Sequence, residues 1–249
     1  MTQLEICIDS VESAIAAQEG GSQRVELCSA LIEGGLTPSI GLIRAVRRSI
    51  HIGLYVMIRP RGGDFLYSSE EIAVMREDIA RARDCGADGV VFGLLNEEGG
   101  VDVIRTRELV EQARPMDVTF HRAIDMTFDL DASIEDVIRT GANRLLTSGG
   151  AQTALLGMAL LKKIIRGYGS RIQIMVCGGV RPENVARIIH STGALQFHAA
   201  LRQDVGSRMK HRPESLHLGS SKIDDFGRKV VMSEDVRDLR IAIEKAKTP

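Results

Sequence analysis

The chemistry in this sequence is carried by widely separated residues: Cys7, Glu26, Cys28, Arg59, His121 and His198, most of them at or near the end of a short apolar run. Two thiols, an acid, a guanidinium and two imidazoles make a set that can move protons, grip an anion or bind a soft metal. The stretch RPRGGD, residues 59–64, follows directly on the strand-like GLYVMI and delivers Arg59, Arg61 and Asp64 around two glycines. Glycine lets the backbone approach a ligand, and arginine presents a planar fork to a carboxylate or phosphate. In VTFHRAID, His121 ends a strand-like run and Asp125 follows in the loop; the imidazole there suits a general acid or base, a metal ligand or a satisfied core histidine. LLTSGG supplies the hydroxyls of Thr147 and Ser148. CGGVRPENV sets Gly178 and Gly179 before a helix opened by Pro182, a turn whose amides suit a phosphate.

These residues need elements to bring them together. Runs rich in Val, Ile and Leu recur at 4–8, 24–28, 53–59, 89–95, 117–123, 144–148, 171–177 and 194–200. Helical patterns lie between them at 10–20, 39–49, 69–85, 102–113, 131–140, 153–167 and 182–191, and a last amphipathic helix occupies 233–247. A strand-helix unit repeated eight times predicts an α/β fold, a closed (β/α)8 TIM barrel forming one domain over residues 1–249. The rhythm is broken once, by a long polar segment after the eighth strand, residues 202–232, carrying Arg202, Arg208, Lys210, His211, Arg212 and His217. It leaves the catalytic face of the barrel, so it either covers that face or forms a solvated or subunit-contacting extension.

Side chains alternate along a strand, and each run divides into an aliphatic set and a chemical one. The aliphatic set belongs against the helices. The other points into the barrel: Glu5 and Cys7, Glu26 and Cys28, Met57 and Arg59, Thr119 and His121, Gln173, Met175 and Cys177, and Gln196 and His198. Barrel interiors are ordinarily packed with branched aliphatics, and a buried charge costs several kcal/mol unless paired with good geometry. On this reading Arg59 arrives inside, where Glu5 and Glu26 neutralise it, while Arg122 faces the opposite way. A buried Glu–Arg network that merely closes the barrel is the alternative.

Composition narrows the partners. The 32 basic and 33 acidic residues leave a net charge of −1, which gives no general field for nucleic acid or an anionic membrane, and 44% hydrophobic residues suffice for a large core. No apolar run approaches the roughly 18 residues that cross a bilayer, and no signal peptide opens the chain, so an intracellular, cytoplasmic protein is expected. The four cysteines form no C-x-x-C pair.

LEICIDSVESA, RVELCSALIEGGLTPS, MIRPRGGDFLYS, VTFHRAIDM, LLTSGG and the FH of residues 197–198 together closely resemble the CutC copper-homeostasis proteins, from about Leu4 to His198. The resemblance implies a TIM barrel, a homo-oligomer (dimer or higher, such as a tetramer), a cytoplasmic role in copper handling and Cu(I) ligands at Cys7 and Cys28. Family members commonly carry a serine where this chain has Ala200. Two thiolates on adjacent strands, about 4.8 Å apart across the sheet, suit a nearly linear Cu(I) site, with Met57, Met175 and Cys177 as weaker candidates. Glu5, Glu26, His121 and His198 also suit a harder divalent ion.

Two readings follow. One is a copper-homeostasis protein that binds Cu(I) in the cytoplasm. The other is a TIM-barrel enzyme acting on a small anionic or phosphorylated metabolite, with Glu26, Arg59, His121 and Asp125 as catalytic residues and Arg61, Asp64, Thr147, Ser148, Gly178, Gly179 and His198 binding substrate. A purely structural oligomerisation module gives no reason for charges inside a barrel. No organic cofactor, nucleic-acid partner or membrane is indicated.

Overall fold

The computed structural model of the chain describes residues 2–213 and 224–247. Eight parallel strands close into a barrel in chain order: β1 (Gln3–Ile8), β2 (Arg24–Leu27), β3 (Gly53–Met57), β4 (Gly89–Phe92), β5 (Asp117–Phe120), β6 (Arg144–Thr147), β7 (Gln173–Val176) and β8 (Gln196–Ala199), which pairs with β1. Helices α1 (Val11–Glu19), α2 (Ile40–Ser49), α3 (Ser69–Asp84), α4 (Val103–Ala113), α5 (Leu130–Thr140), α6 (Met158–Tyr168), α7 (Pro182–Thr192) and α8 (Ser233–Lys245) surround it. The expected TIM barrel is the fold. No helix among the described residues is long and apolar enough to cross a membrane.

Helix starts follow from capping chemistry. Ser10, Ser39, Asp102 and Asp129 each accept a hydrogen bond from a first-turn amide, and Ser68 forms a reciprocal box with Glu71. Helix α6 begins later than the expected residue 153. A Cβ on Gly157 would lie 1.9 Å from the Ser148 carbonyl oxygen, so the chain folds residues 151–157 tightly against the β6 loop before turning helical.

Of the two alternatives for the polar segment after β8, its described part forms an extension and does not cover the mouth. It opens as β9 (Arg202–Gly206) and returns as β10 (Gly227–Val231), an antiparallel ribbon. The ribbon lies along α1: the Val231 amide donates to Ser13 Oγ, and Arg228 pairs with Glu12 at 2.7 Å. Among the described residues, nothing after His198 lines the barrel mouth, and His217 lies outside them.

The aliphatic set, from Leu4, Ile6 and Ile8 round to Phe197, is buried against the helices. Inside, the end of the barrel where the strands begin is closed by a polar plug that includes two arginines the strand alternation also turns inward. Arg24 and Arg144 lie over the Tyr55 ring at 4.8 and 5.2 Å, and the Tyr55 hydroxyl donates to Asp117 at 2.8 Å. Arg144 donates to Gln196, Thr119 and Gln173. Gly89 makes room for this stack, since a Cβ there would meet Tyr55 Cε1 at 2.3 Å. The plug also corrects a pairing: Glu5 is matched by Arg24, at 2.8 Å, and not by Arg59.

Candidate functional site

Register builds the centre of the opposite end. Cys7 lies beside Glu26, and Glu5 lies beside both Arg24 and His198. The His198 Nδ1 sits 2.7 Å from Glu5 Oε1, which leaves Nε2 turned to Glu26 Oε2 at 3.9 Å. Ligand atoms of Cys7, Glu26 and His198 all lie within 4.8 Å of one another. Cys28 stands behind this group, its thiol donating to Glu26 Oε2 at 3.5 Å. The family resemblance implies Cys7 and Cys28 as metal ligands; the geometry adds Glu26 and His198 and puts Cys28 outside the tight cluster. Met57 faces the same cavity, whereas Met175 and Cys177, packed behind Leu146, do not line it.

The electrostatics of the group are mutual. The hydrogen bond from Cys28 outweighs burial and, with His198, lowers the Cys7 thiol to about 5, while that contact and burial push Cys28 well above its ordinary value. Burial raises Glu26 to about 8 against the pull of His198. Burial disfavours the imidazolium of His198, but Glu26, Cys7 and Glu5 override it and raise its pKa well above 6.5. Glu5 is held at about 2, burial being outweighed chiefly by Arg24 and His198. A thiolate at Cys7 is thus prepared beside an imidazole whose orientation a buried carboxylate sets.

Arg59 and His121 form the second part of the mouth. Arg59, 5% exposed, donates through Nη1 to the carbonyls of Glu33 and Gly35 and through Nη2 to that of Gly63, and lies over the Phe65 ring at 4.9 Å. His121 accepts from the Ala123 amide at Nδ1 and meets Phe65 edge-on at 4.8 Å. Gly93 admits the ring, because a Cβ there would stand 2.6 Å from Nδ1. Burial, and then the Arg59 charge, lower the His121 pKa to about 3, so the imidazole is neutral near pH 7.

The remaining expected residues have other partners. Asp125 is a clamp: Oδ1 accepts from Thr147 Oγ1 and Gly150 N, Oδ2 accepts from Ser148 Oγ and Arg122 Nε, and the Ser148 amide lies within reach of both. Thr147 and Ser148 are buried in that same network, and both Asp125 oxygens are occupied by its donors. Arg61 is bound to Glu71 and Asp64 and to the Leu66 carbonyl, and neither it nor Asp64 lines the cavity. Gly178 and Gly179 also lie off the cavity, packed beside Thr153. Arg122, expected to face away, lines it: β5 ends at Phe120, a 3-10 turn over Arg122–Met126 follows, and strand alternation no longer governs the side chain. Phe65 and Leu146 are further lining residues that the sequence reading did not single out. Leu146 shares the inward alternation of β6, while Phe65 sits in a loop and leaves no periodic signal.

Together these side chains enclose a cavity of about 600 Å³ at the strand C-terminal ends, the face on which barrels of this kind carry their sites. The chain is 48% identical over 243 residues to a CutC family protein of Chromobacterium violaceum, covering 98% of both chains. It is 46% identical over 237 residues to the copper homeostasis protein cutC homolog of Mus musculus, covering 95% of this chain and 87% of that one. The crystal structure of the CutC protein of Streptococcus agalactiae superimposes with a TM-score of 0.75 at 33% identity, over 80% of this chain and 98% of that one. A phosphoribosylanthranilate isomerase of Pyrococcus furiosus, at 12% identity and a TM-score of 0.61, shares the fold over 98% of this chain and 100% of that one. The CutC family profile matches residues 2–203, and the chain belongs to the CutC family.

Proposed function

We propose that this chain is a cytoplasmic copper-homeostasis protein that binds Cu(I) at Cys7, with His198 and Cys28 as its other soft ligands. The observation that carries the reading is the convergence of Cys7, Glu26 and His198 within 4.8 Å, in a pocket where Cys7 is already a thiolate. Cu(I) prefers thiolate and imidazole over carboxylate. Glu26 is the hard donor of the set, with a buried Oε1 that has no hydrogen-bond partner among the described residues. Glu5 on His198 Nδ1 fixes the tautomer that presents Nε2, the second-layer arrangement common at histidine metal sites. Relatives named as copper homeostasis proteins support the same reading. Four free, buried thiols suit a reducing compartment. A homo-oligomer, dimer or tetramer, agrees with the exposure of Met126, Phe128 and Leu156 on the loops of the mouth.

The test is competition for Cu(I) against a chromogenic chelator under anaerobic conditions. Cys7→Ser with Cys28→Ser lowers affinity by about 100-fold or more, on the scale of 1.4 kcal/mol for each factor of ten. Unchanged stoichiometry and affinity in the double variant reject these ligands.

A further inference from the structure

Arg59 is a buried cation with no counter-ion among the described residues. Among the described residues no carboxylate comes within 4.0 Å of it; its partners are three backbone carbonyls and the Phe65 ring. The neighbouring Tyr67 hydroxyl is neutral, burial raising its pKa, and supplies a dipole only. Glu33, exposed on the rim, contributes its carbonyl and not its carboxylate. A buried charge left in this state calls for an anion, and Arg59 lines a cavity large enough to take one.

His121 supplies the second donor. Its Nδ1 accepts from Ala123, which puts the proton on Nε2, and that buried nitrogen has no partner. The Nδ1–Cε1 edge lies against Gly93, and His121 is one of the residues that line the cavity. We infer that the mouth of the barrel is a binding site for a small organic carboxylate, held by Arg59 and His121 Nε2–H, its body along Phe65 and Leu146.

The donors choose between anions. Three of the five guanidinium hydrogens of Arg59 are committed to carbonyls and the Nε hydrogen is fully buried, which leaves one Nη2 hydrogen, together with one imidazole N–H and a single positive charge. That complement matches a monoanionic carboxylate. A phosphate brings more charge and ordinarily requires a ring of backbone amides, and Gly178, Gly179 and the start of α7 do not line this cavity. The apolar walls, Phe65, Met57 and Leu146, make an organic body part of the ligand. Because Cys7, Glu26 and His198 line the same space, the ligand's far end reaches the cluster assigned to copper, although this inference does not depend on copper.

The experiment is calorimetric titration of metal-free protein with benzoate, benzamide and inorganic phosphate. Benzoate binds once per chain, and the neutral amide and phosphate bind at least about tenfold more weakly. Arg59→Met and His121→Phe each weaken benzoate by about tenfold or more, and Leu146→Trp, which fills the cavity and leaves both donors in place, does the same. Should Arg59→Met fail to fold, the other two variants decide. No benzoate binding at millimolar concentration, equal binding of benzamide, or full binding by folded Leu146→Trp overturns the inference. Cys7→Ser with Cys28→Ser separates the two assignments. Benzoate retained with Cu(I) binding unchanged refutes only the copper ligands, and Cu(I) binding that depends on the cysteines without any benzoate binding refutes only the carboxylate site.

Discussion

Replacing Glu5 by Gln tests the ion network beneath the metal cluster. Glu5 is fully buried, 2.8 Å from Arg24 and 2.7 Å from His198, and Arg24 is itself only 4% exposed. Without the carboxylate, Arg24 retains Gln3, Gln196, the Met175 sulfur and the Tyr55 face, all neutral. Breaking a buried pair in this way costs about 3–5 kcal/mol. The same contacts hold the Glu5 carboxyl down from 4.5 to about 2, which corresponds to about 3 kcal/mol at 1.36 kcal/mol per pH unit. A depressed carboxylate pKa stabilises the fold above its unfolded value, and the contribution is lost as pH falls from 4.5 toward 2. Urea unfolding followed by circular dichroism should therefore show the variant less stable by about 3–5 kcal/mol at pH 7, with the gap narrowing to about 1 kcal/mol at pH 3. A gap below about 1 kcal/mol at pH 7, or one that does not shrink in acid, refutes the assignment of Glu5 as the counter-ion that holds Arg24 and His198.

Cu(I) affinity should rise between pH 6 and 8, because His198 carries a raised pKa and must lose a proton before Nε2 can ligate; chelator competition across that range measures it, and a flat profile removes His198 from the ligand set. Gly89→Ala sets a methyl 2.3 Å from Tyr55 Cε1 and should cost about 1–3 kcal/mol in chemical denaturation by disturbing the Arg24–Tyr55–Arg144 stack. Asp125→Ala strands the donors of Thr147, Ser148 and Gly150 and should destabilise the fold by about 2–4 kcal/mol, with faster amide exchange across residues 147–151; a loss confined to ligand binding contradicts its role as a clamp.

Much of this protein is determined by its sequence alone. Eight aliphatic runs separated by capped helices leave few architectures other than a closed barrel. The period-two alternation turns Glu5, Cys7, Glu26, Cys28, Arg59, His121 and His198 to one side of the wall, where the structure has them. It turns Arg24 and Arg144 inward by the same rule. Alternation specifies a face, however, not a neighbour across the barrel. Which charge meets which depends on the stagger of the strands, so only the tertiary structure decided that Glu5 pairs with Arg24, that Arg59 has no carboxylate among the described residues, and that His198 and Glu26 join Cys7. Where the chain leaves the sheet the rule lapses altogether: a 3-10 turn brings Arg122 to the cavity, Asp125 is consumed by a loop, and the polar segment after β8 folds back as a ribbon on α1. Periodicity is a property of regular backbone, while a site at the mouth of a barrel is assembled from strand ends and loops whose contacts are distant in sequence.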